Sequence, residues 1–311
     1  MSHSTEISSA VRALKQGELV AFPTETVYGL GADATNDLAV ARLYEAKGRP
    51  SFNPLISHVQ DAFAAFALGE FSSEAKKLAL LFWPGPLTLV VPRAANCPVS
   101  LLASAGLPSI ALRVPNHPMA LDLLEAVGRP IVAPSANVSG RISPTTAAHV
   151  RTSLGHKVSV LLDGGPCAVG VESTVVSFLG EKPKILRHGG LTRSRLEAVL
   201  YHQIDVERDA AQPHSPGQMA SHYAPHAALR LGAMEPRAGE IYLGFGKHAH
   251  GPHTLSASGD VVEAAANLFR LLHELDGAGA ATIAIAPITM EGLGEAINDR
   301  LRRAAAPRSV A

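Results

Sequence analysis

Two basic side chains in the segment KGRPSFNPL, residues 47–55, are spaced to bind an anion. Lys47 and Arg49 are two residues apart, so they project to the same side if the segment is extended, and Pro50 favours extended backbone at Arg49. An arginine can hold a phosphate through two parallel hydrogen bonds. A solvated helix end explains the pair equally well, because cations stabilise the C-terminus of a helix. Both interpretations stay open at this point.

Two further arginines lie within or at the end of apolar runs, where a charged side chain is unusual. Arg113 interrupts the apolar run SIALRVP, residues 109–115, and a charge inside a buried strand is unfavourable unless it is paired. Arg187 ends the run KILR, at the kind of strand-to-turn position where α/β proteins bind ligands. A structural ion pair or an ordinary strand end is the alternative to a binding role for each.

Small polar residues gather in turn-rich segments that follow apolar runs. PSANVSG, residues 134–140, supplies hydroxyl and amide groups, and VEST, residues 171–174, places Ser173 at a strand start. Turn formation and helix capping explain such residues as well as a ligand cradle does. The sequence has neither GxGxxG, GxxxxGK[ST] nor GxSxG, and its histidines show no tight metal-site spacing. The residues alone therefore indicate an α/β enzyme with a scattered anion site.

The elements that must position these residues form a predicted α/β unit over residues 1–205. Helical periodicity recurs near residues 7–14, 78–81, 121–124 and 196–199, and short apolar runs at 18–23, 87–92, 109–115, 130–134, 158–165 and 173–178 suit buried strands. Because strands and helices alternate imperfectly, we expect a mixed sheet with helices on both sides.

The remaining residues divide into a linker and a smaller domain. Residues 206–228 are polar and proline-bearing without apolar periodicity, which predicts a linker long enough to have a function. Residues 229–311 read as a small βαβα unit, with strands at 240–245 and 282–287, each followed by a helix.

Composition excludes several classes of protein. The chain has 311 residues, 27 basic and 27 acidic, and 47% of them are hydrophobic, which excludes a disordered chain and argues against a protein that coats nucleic acid by bulk charge. No apolar stretch approaches the roughly 20 residues of a membrane span. Cys97 and Cys167 are far apart, and the N-terminus lacks a signal-peptide pattern, so we expect a reduced cytoplasmic protein without a membrane partner.

Eight ordered motifs resemble one family. They are FPTETVYGLGADA (22–34), KGRPSFNPL (47–55), WPGPLTLV (83–90), ALRVPNHP (111–118), APSANVSG (133–140), GVEST (170–174), ILRHGG (185–190) and SPGQMASHYAP (215–225). Together they resemble the threonylcarbamoyl-AMP synthase family in its long form. The resemblance implies a YrdC-like catalytic domain, with a mixed twisted sheet flanked by helices, then a linker that acts as a lid and a small Rossmann-like domain.

The resemblance also implies a reaction and a set of residues. ATP, L-threonine and bicarbonate would give threonylcarbamoyl-AMP and pyrophosphate, Mg²⁺ would arrive with ATP rather than at a dedicated site, and a downstream threonylcarbamoyl transferase complex would use the product to modify tRNA. Lys47 and Arg49 would be catalytic. The nucleotide would meet Lys47, Arg49, Asn53, Ser109, Ser135, Asn137, Ser143, Arg187 and, as part of the lid, Tyr223. Threonine would meet Thr24, Arg49, His58, Arg113 and Ser173.

Three positions depart from the family pattern, and two rival functions stay open. His188 stands where the family often has proline, and Ala220 and Ser221 stand where an aromatic and a basic residue often precede HYAP. A double-stranded-RNA-binding module is one rival, which the zero net charge disfavours. A carbamoyl transferase is the other, which the absence of CxxC pairs disfavours.

Overall fold

A ten-stranded mixed sheet is the centre of the first domain in the computed structural model, which describes residues 3–207 and 222–307. Its strands are β1 (Val20–Phe22), β2 (Gly29–Asp33), β3 (Ile56–His58), β4 (Leu87–Pro92), β5 (Ser109–Arg113), β6 (Ile131–Val132), β7 (Val160–Leu161), β8 (Thr174–Ser177), β9 (Lys184–Arg187) and β10 (Asp205–Val206). Their order across the sheet is β10-β9-β8-β4-β5-β3-β6-β2-β1-β7. Parallel and antiparallel pairs are interspersed, as the imperfect alternation of the sequence predicts.

Helices cover both faces of this sheet. They are α1 (His3–Lys15), α2 (Asp37–Lys47), α3 (Ala62–Phe66), α4 (Ser73–Phe82), α5 (Pro118–Val127), α6 (Ala147–Leu154) and α7 (Arg193–Leu200). Helices α1 and α5 pack together on one face, and α2, α4, α6 and α7 contribute to the larger apolar core on the other. The mixed sheet flanked by helices agrees with the predicted fold class.

Local sequence sets the helix ends that matter for the site. Asn36 caps α2 by accepting hydrogen bonds from the backbone N–H groups of Leu38 and Ala39. Gly48 ends the same helix in the left-handed conformation, φ 59°, which glycine adopts without strain. The extended arrangement predicted for Lys47 and Arg49 is therefore wrong, because Lys47 is the last residue of α2. A helix end is correct, although Lys47 is buried and not solvated.

The second domain is a small parallel sheet with two helices. Strands β11 (Ala228–Arg230), β12 (Ile241–Leu243) and β13 (Thr282–Ile285) lie in the order β11-β13-β12, with α8 (Val261–Gly277) and α9 (Gly294–Ala305) packed against them. The sequence predicts β12, α8, β13 and α9, but it misses β11. That strand has three partly exposed residues, too few to show an apolar period.

The two domains share an apolar cluster. Val27, Ile142 and Val171 of the first domain are buried in the cluster that forms the core of the second. Gly170, at φ 75°, approaches α8 so closely that an added Cβ would lie 2.4 Å from the carbonyl oxygen of Ala265. Only glycine fits this contact.

The predicted linker, residues 206–228, lies largely outside the described residues, as do Ala220 and Ser221. Its first residue belongs to β10 and its last to β11. Among residues 3–207 and 222–307, no helix is long and apolar enough to cross a membrane.

Candidate active site

The ends of several strands meet at one enclosed cavity. His58 and Arg113 end the parallel neighbours β3 and β5 and are paired in register. Arg187 ends β9, and Ser173 immediately precedes β8. The predicted site residues that line the cavity are Arg49, His58, Arg113, Ser135, Ser173, Arg187 and Tyr223. Residues that are scattered along the sequence are thus brought together.

His222 and Tyr223 close the cavity. The backbone N–H of Ala224 donates to Gly140 O at 2.8 Å, and that of His222 donates to Arg303 O at 3.2 Å. The enclosed volume is about 40 Å³, which is room for a few water molecules. A ligand larger than this volume would enter this cavity only if some of its lining residues, such as His222 and Tyr223, moved.

Lys47 is fixed against the serine-rich loop after β6. Its Nζ donates to the backbone carbonyls of Ser135 and Asn137, and its side chain is buried. Burial, with Arg49 nearby, holds the pKa of Lys47 well below its ordinary value. Lys47 is not itself a lining residue of the cavity, and it contacts the cavity through the loop that carries Ser135.

Arg49 is anchored by the backbone of its own loop. Its Nε donates to Asn53 O at 3.2 Å, and its Nη2 donates to Pro54 O at 3.0 Å. Burial lowers the pKa of Arg49 to about 10, so the guanidinium remains charged at neutral pH. The KGRPSFNPL loop therefore presents a preoriented cation to the cavity.

Arg113 is held by the segment PTETV. Its Nη2 lies 2.8 Å from Glu25 Oε1 and 2.9 Å from Thr26 Oγ1. Thr24 Oγ1 contacts Thr26 Oγ1 at 2.8 Å, which links Thr24 to the same network. Nε of Arg113 is buried without a hydrogen-bond partner among the described residues. The arginine is thus both ion-paired and able to bind a further acceptor.

Arg187 and Ser173 form one unit. Nε and Nη2 of Arg187 donate to Ser173 O at 3.0 and 2.9 Å, and Nη2 also donates to Ser173 Oγ at 3.0 Å. Gly189 makes this approach possible, since a Cβ there would lie 2.3 Å from Glu172 O. Ser173 Oγ also contacts Thr88 Oγ1 at 2.7 Å.

Buried polar atoms without partners concentrate at the cavity. His58 Nδ1, Arg113 Nε, His222 Nδ1 and Tyr223 OH have no hydrogen-bond partner among the described residues, and all four residues line the cavity. Burial lowers the pKa of His58 and of His222 to about 3 each, so both rings are neutral at pH 7. Because an unmade buried hydrogen bond is costly, this arrangement suits a polar ligand.

The other predicted residues lie behind the lining or away from it. Asn137 O accepts from Lys47, Asn53 O accepts from Arg49, and Ser143 Oγ donates to Glu172 Oε1. Ser109 lies apart, because it begins β5 and Arg113 ends it, a separation of roughly 13 Å along a strand.

Sequence reasoning assigned no site role to Glu172, His222, Glu25, Thr26 or Arg300. Four of these belong to the quoted motifs, so their neighbours could have indicated them. Arg300 belongs to none of the motifs, and one arginine among several near the C-terminus carries no signal. His188, the departure from the family pattern, lies 3.4 Å from Glu295 of α9 and leaves Arg187 in place.

Within the part of the chain that the structure describes, no group of three or more histidine, cysteine, aspartate or glutamate side chains could hold a metal ion. Glu172 is the one carboxylate among the described lining residues, and Arg300 and Ser143 occupy its two oxygens.

Comparisons with known proteins cover nearly the whole chain. The Sua5/YciO/YrdC family model, described as "Telomere recombination", matches residues 12–189, and the model of the threonylcarbamoyl-AMP synthase C-terminal domain matches residues 191–306. The threonylcarbamoyl-AMP synthase of Bacillus subtilis is 46% identical over 74% of this chain and 67% of its own length. That of Pyrococcus abyssi is 39% identical over 98% of this chain and 95% of its own length.

Solved structures show the same relationship. The crystal structure of P. abyssi Sua5 complexed with L-threonine superposes with a TM-score of 0.90 at 37% identity, over 98% of this chain and 95% of that one. The match includes both domains and their arrangement. From the two family models, the two relatives and this structure, the chain belongs to the threonylcarbamoyl-AMP synthase family, in the form that carries the additional C-terminal domain.

Proposed function

We propose that this chain condenses ATP, L-threonine and bicarbonate into threonylcarbamoyl-AMP and pyrophosphate, for the modification of tRNA in the cytoplasm. The observation that carries the proposal is the convergence of Arg49, Arg113 and Arg187 on one cavity lined by unpaired polar atoms. ATP, bicarbonate, the carboxylate of threonine and the carbamate formed from its amino group all carry negative charge. A cavity that gathers cations offsets the repulsion between such partners.

On the nucleotide side, we assign phosphate binding to Lys47, Arg49 and Arg187. All three basic side chains are buried and held by backbone carbonyls, so they need little reorganisation when charge develops at the α-phosphate, and a bound phosphate would favour the charged form of Lys47. Ser135 lines the cavity beside them, and Asn137 and Ser143 support the loop that carries it. Asn53 contributes through its contact with Arg49. Ser109 lies outside the cavity, so it would contact the nucleotide only where the adenosine extends beyond the cavity.

On the amino-acid side, we assign the carboxylate of threonine to Arg113. Its free Nε donor and its fixed position beside Glu25 suit a carboxylate acceptor. His58 is a neutral ring with an unpaired nitrogen, and Ser173 and Thr24 supply hydroxyl groups nearby. These groups can bind the polar atoms of threonine, including its side-chain hydroxyl.

The chemistry needs position and charge more than a covalent nucleophile. The uncharged amino group of threonine combines with bicarbonate to give a carbamate and water. A carbamate oxygen then attacks the α-phosphorus, and the bond from that phosphorus to the bridging oxygen breaks, releasing pyrophosphate. Holding the two anions in line lowers the entropic barrier, and Lys47 and Arg49, as catalytic cations, stabilise the charge on the transferring group. Exclusion of water protects the labile carbamate, which is the role that we assign to Tyr223 as part of the lid.

We expect Mg²⁺ to enter with ATP. A magnesium ion usually keeps several waters and binds through substrate phosphates and one or two carboxylates. Both carboxylate oxygens of Glu172 already bind Arg300 and Ser143, so the phosphates of ATP and water molecules would supply most of the ligands of Mg²⁺.

Pyrophosphate release tests the proposed reaction. The full chain is incubated with ATP, L-threonine and bicarbonate, each omitted in turn, and the adenylate is identified by mass spectrometry. We expect release only when all three are present, and strongly reduced release by Arg49→Ala. Arg151→Ala is the matched control, because Arg151 is exposed and away from the cavity.

Two outcomes would replace the proposal by its rivals. Release without bicarbonate would indicate an ordinary aminoacyl-adenylate. Turnover of carbamoyl phosphate, or tight ATP-independent binding of double-stranded RNA without turnover, would favour a carbamoyl transferase or an RNA-binding module.

A further inference from the structure

A buried arginine of the C-terminal domain lies behind the candidate active site. Arg300 is on α9, and only 1% of its side chain is exposed. A charged side chain is rarely buried so completely unless it is paired. The chain has many exposed positions for an arginine, so this placement calls for a specific partner.

The partner is a carboxylate of the other domain. Arg300 Nε lies 2.8 Å from Glu172 Oε2, and Ser143 Oγ donates to the second oxygen of Glu172. Arg300 Nη1 lies 2.9 Å from Asp299, and its guanidinium lies over the ring of Tyr223, 5.2 Å from the centroid. One side chain of α9 therefore contacts both Glu172 and Tyr223, which line the cavity.

The charge of Glu172 explains why this contact matters. A carboxylate in a cavity built for anions repels them, and it competes with them for the guanidinium of Arg187. Burial acts to raise the pKa of Glu172, but Arg300 and then Arg187 outweigh it and hold that pKa below its ordinary value. Glu172 is thus ionised, and Arg300 is the cation that compensates it at 2.8 Å.

We propose that Arg300 is a positioning residue of the synthase site, through which the C-terminal domain neutralises the charge of Glu172 at the anion-binding cavity and orients Tyr223. Arg300 does not line the cavity, so it acts through these two residues and not on the substrate. The inference rests on the proposed function for the identity of the anion, but its ATP-binding part does not require turnover.

A purely structural role in domain docking predicts different results. If Arg300 only held the domains together, its loss would lower stability and kcat without a selective change in ATP binding. Removing the charge of Glu172 would then restore stability but leave ATP affinity unchanged. Compensation measured in ATP affinity is the distinguishing property, because a structural pair also shows compensation in stability: an unpaired buried charge is costly whereas replacing both partners is nearly neutral.

The test compares full-length Arg300→Met, Arg300→Lys, Glu172→Gln and the double variant Glu172→Gln/Arg300→Met. ATP affinity is measured by calorimetry, and kcat and KM for ATP and threonine are measured by pyrophosphate release. Arg300→Met should weaken ATP binding about tenfold or more, with a smaller effect on KM for threonine. Arg300→Lys should recover part of the loss, and the double variant most of it. Arg237→Met, at an exposed position of the C-terminal domain away from the cavity, is the control and should bind ATP like the wild type.

Each result is informative. Equal ATP affinity in wild type and Arg300→Met would overturn the inference, as would a double variant no better than Arg300→Met. If Arg300→Met does not fold, Arg300→Lys against wild type and against Glu172→Gln/Arg300→Met still measures the compensation. If the wild type binds ATP but releases no pyrophosphate, the proposed function fails, and the same affinities still decide the role of Arg300.

Discussion

Tyr223→Phe is expected to make the protein more stable and less active. The hydroxyl of Tyr223 is buried without a hydrogen-bond partner among the described residues, and such a group costs about 1–3 kcal/mol. The ring stacks on Phe269, with centroids 5.6 Å apart, and lies under Arg300, contacts that phenylalanine preserves. We therefore expect the free energy of unfolding to rise by about 1 kcal/mol.

The activity should move in the opposite direction if the lid hydroxyl binds the nucleotide. One neutral hydrogen bond is worth about 0.5–1.5 kcal/mol, which raises KM for ATP roughly two- to tenfold. Tyr223→Ala removes the ring as well, and by analogy with other aromatic truncations should cost about 3–5 kcal/mol of stability.

Thermal melting and pyrophosphate release at varied ATP concentration measure the two effects of Tyr223→Phe. Tyr201→Phe is the matched control, because the side chain of Tyr201 is in solvent and neither quantity should change. A lower melting temperature together with an unchanged KM for ATP would refute the reasoning at both points, since it would mean that the hydroxyl is satisfied in the fold and idle in the reaction.

Three further predictions concern Lys47, the dependence of stability on pH, and the choice of amino acid. Lys47→Ala should reduce turnover at least tenfold, because a charge-assisted contact is worth about 1.5–3 kcal/mol; near-normal pyrophosphate release would exclude Lys47 from the site. The rings of His149 and His273 stack across the two domains with centroids 3.9 Å apart, and burial lowers the pKa of His149 to about 4. Because the pKa of histidine in the unfolded chain is about 6.5, the unfolded chain takes up a proton first as the pH falls. The folded protein should therefore lose stability between about pH 6.5 and pH 4. His273→Gln should make the fall in melting temperature between pH 7 and 5 shallower, and an unchanged slope would contradict this. Valine should be used at least tenfold less well than threonine, and serine should be the better competitor because it keeps the hydroxyl; equal rates with valine would mean that the pocket around Arg113 and His58 reads shape alone.

The fold was largely predictable because its signals are local. Apolar runs predicted strands β1, β4, β5, β6, β7 and β8 of the large sheet, and apolar periodicity predicted helices α1, α4, α5 and α7. Strands β2, β3, β10 and β11 were missed. Three of them span only two or three residues, and β2, GLGAD, contains two glycines, which are uncommon in strands.

The site was predictable only where charge or motif made a residue conspicuous. Arg113 and Arg187 stood out because each interrupts or ends an apolar run, and both line the cavity. Lys47 was recognised for its charge, and a helix end was one of its two explanations, but its burial was not predicted because that depends on contacts with the loop at Ser135 and Asn137. Arg300 could not be identified from the sequence, since its role arises from a contact with Glu172, 128 residues away along the chain.

The apolar cluster shared by the two domains has a consequence for how the molecule comes apart. Val27, Ile142 and Val171 are covered by α8 and its neighbours, so losing the second domain would expose them to water. The boundary between the two family models is therefore not a boundary of stability, and calorimetry should record one cooperative transition in place of two. Cutting the chain between residues 207 and 222 would leave two fragments that remain associated, because side chains hold the domains together and not only the covalent connection.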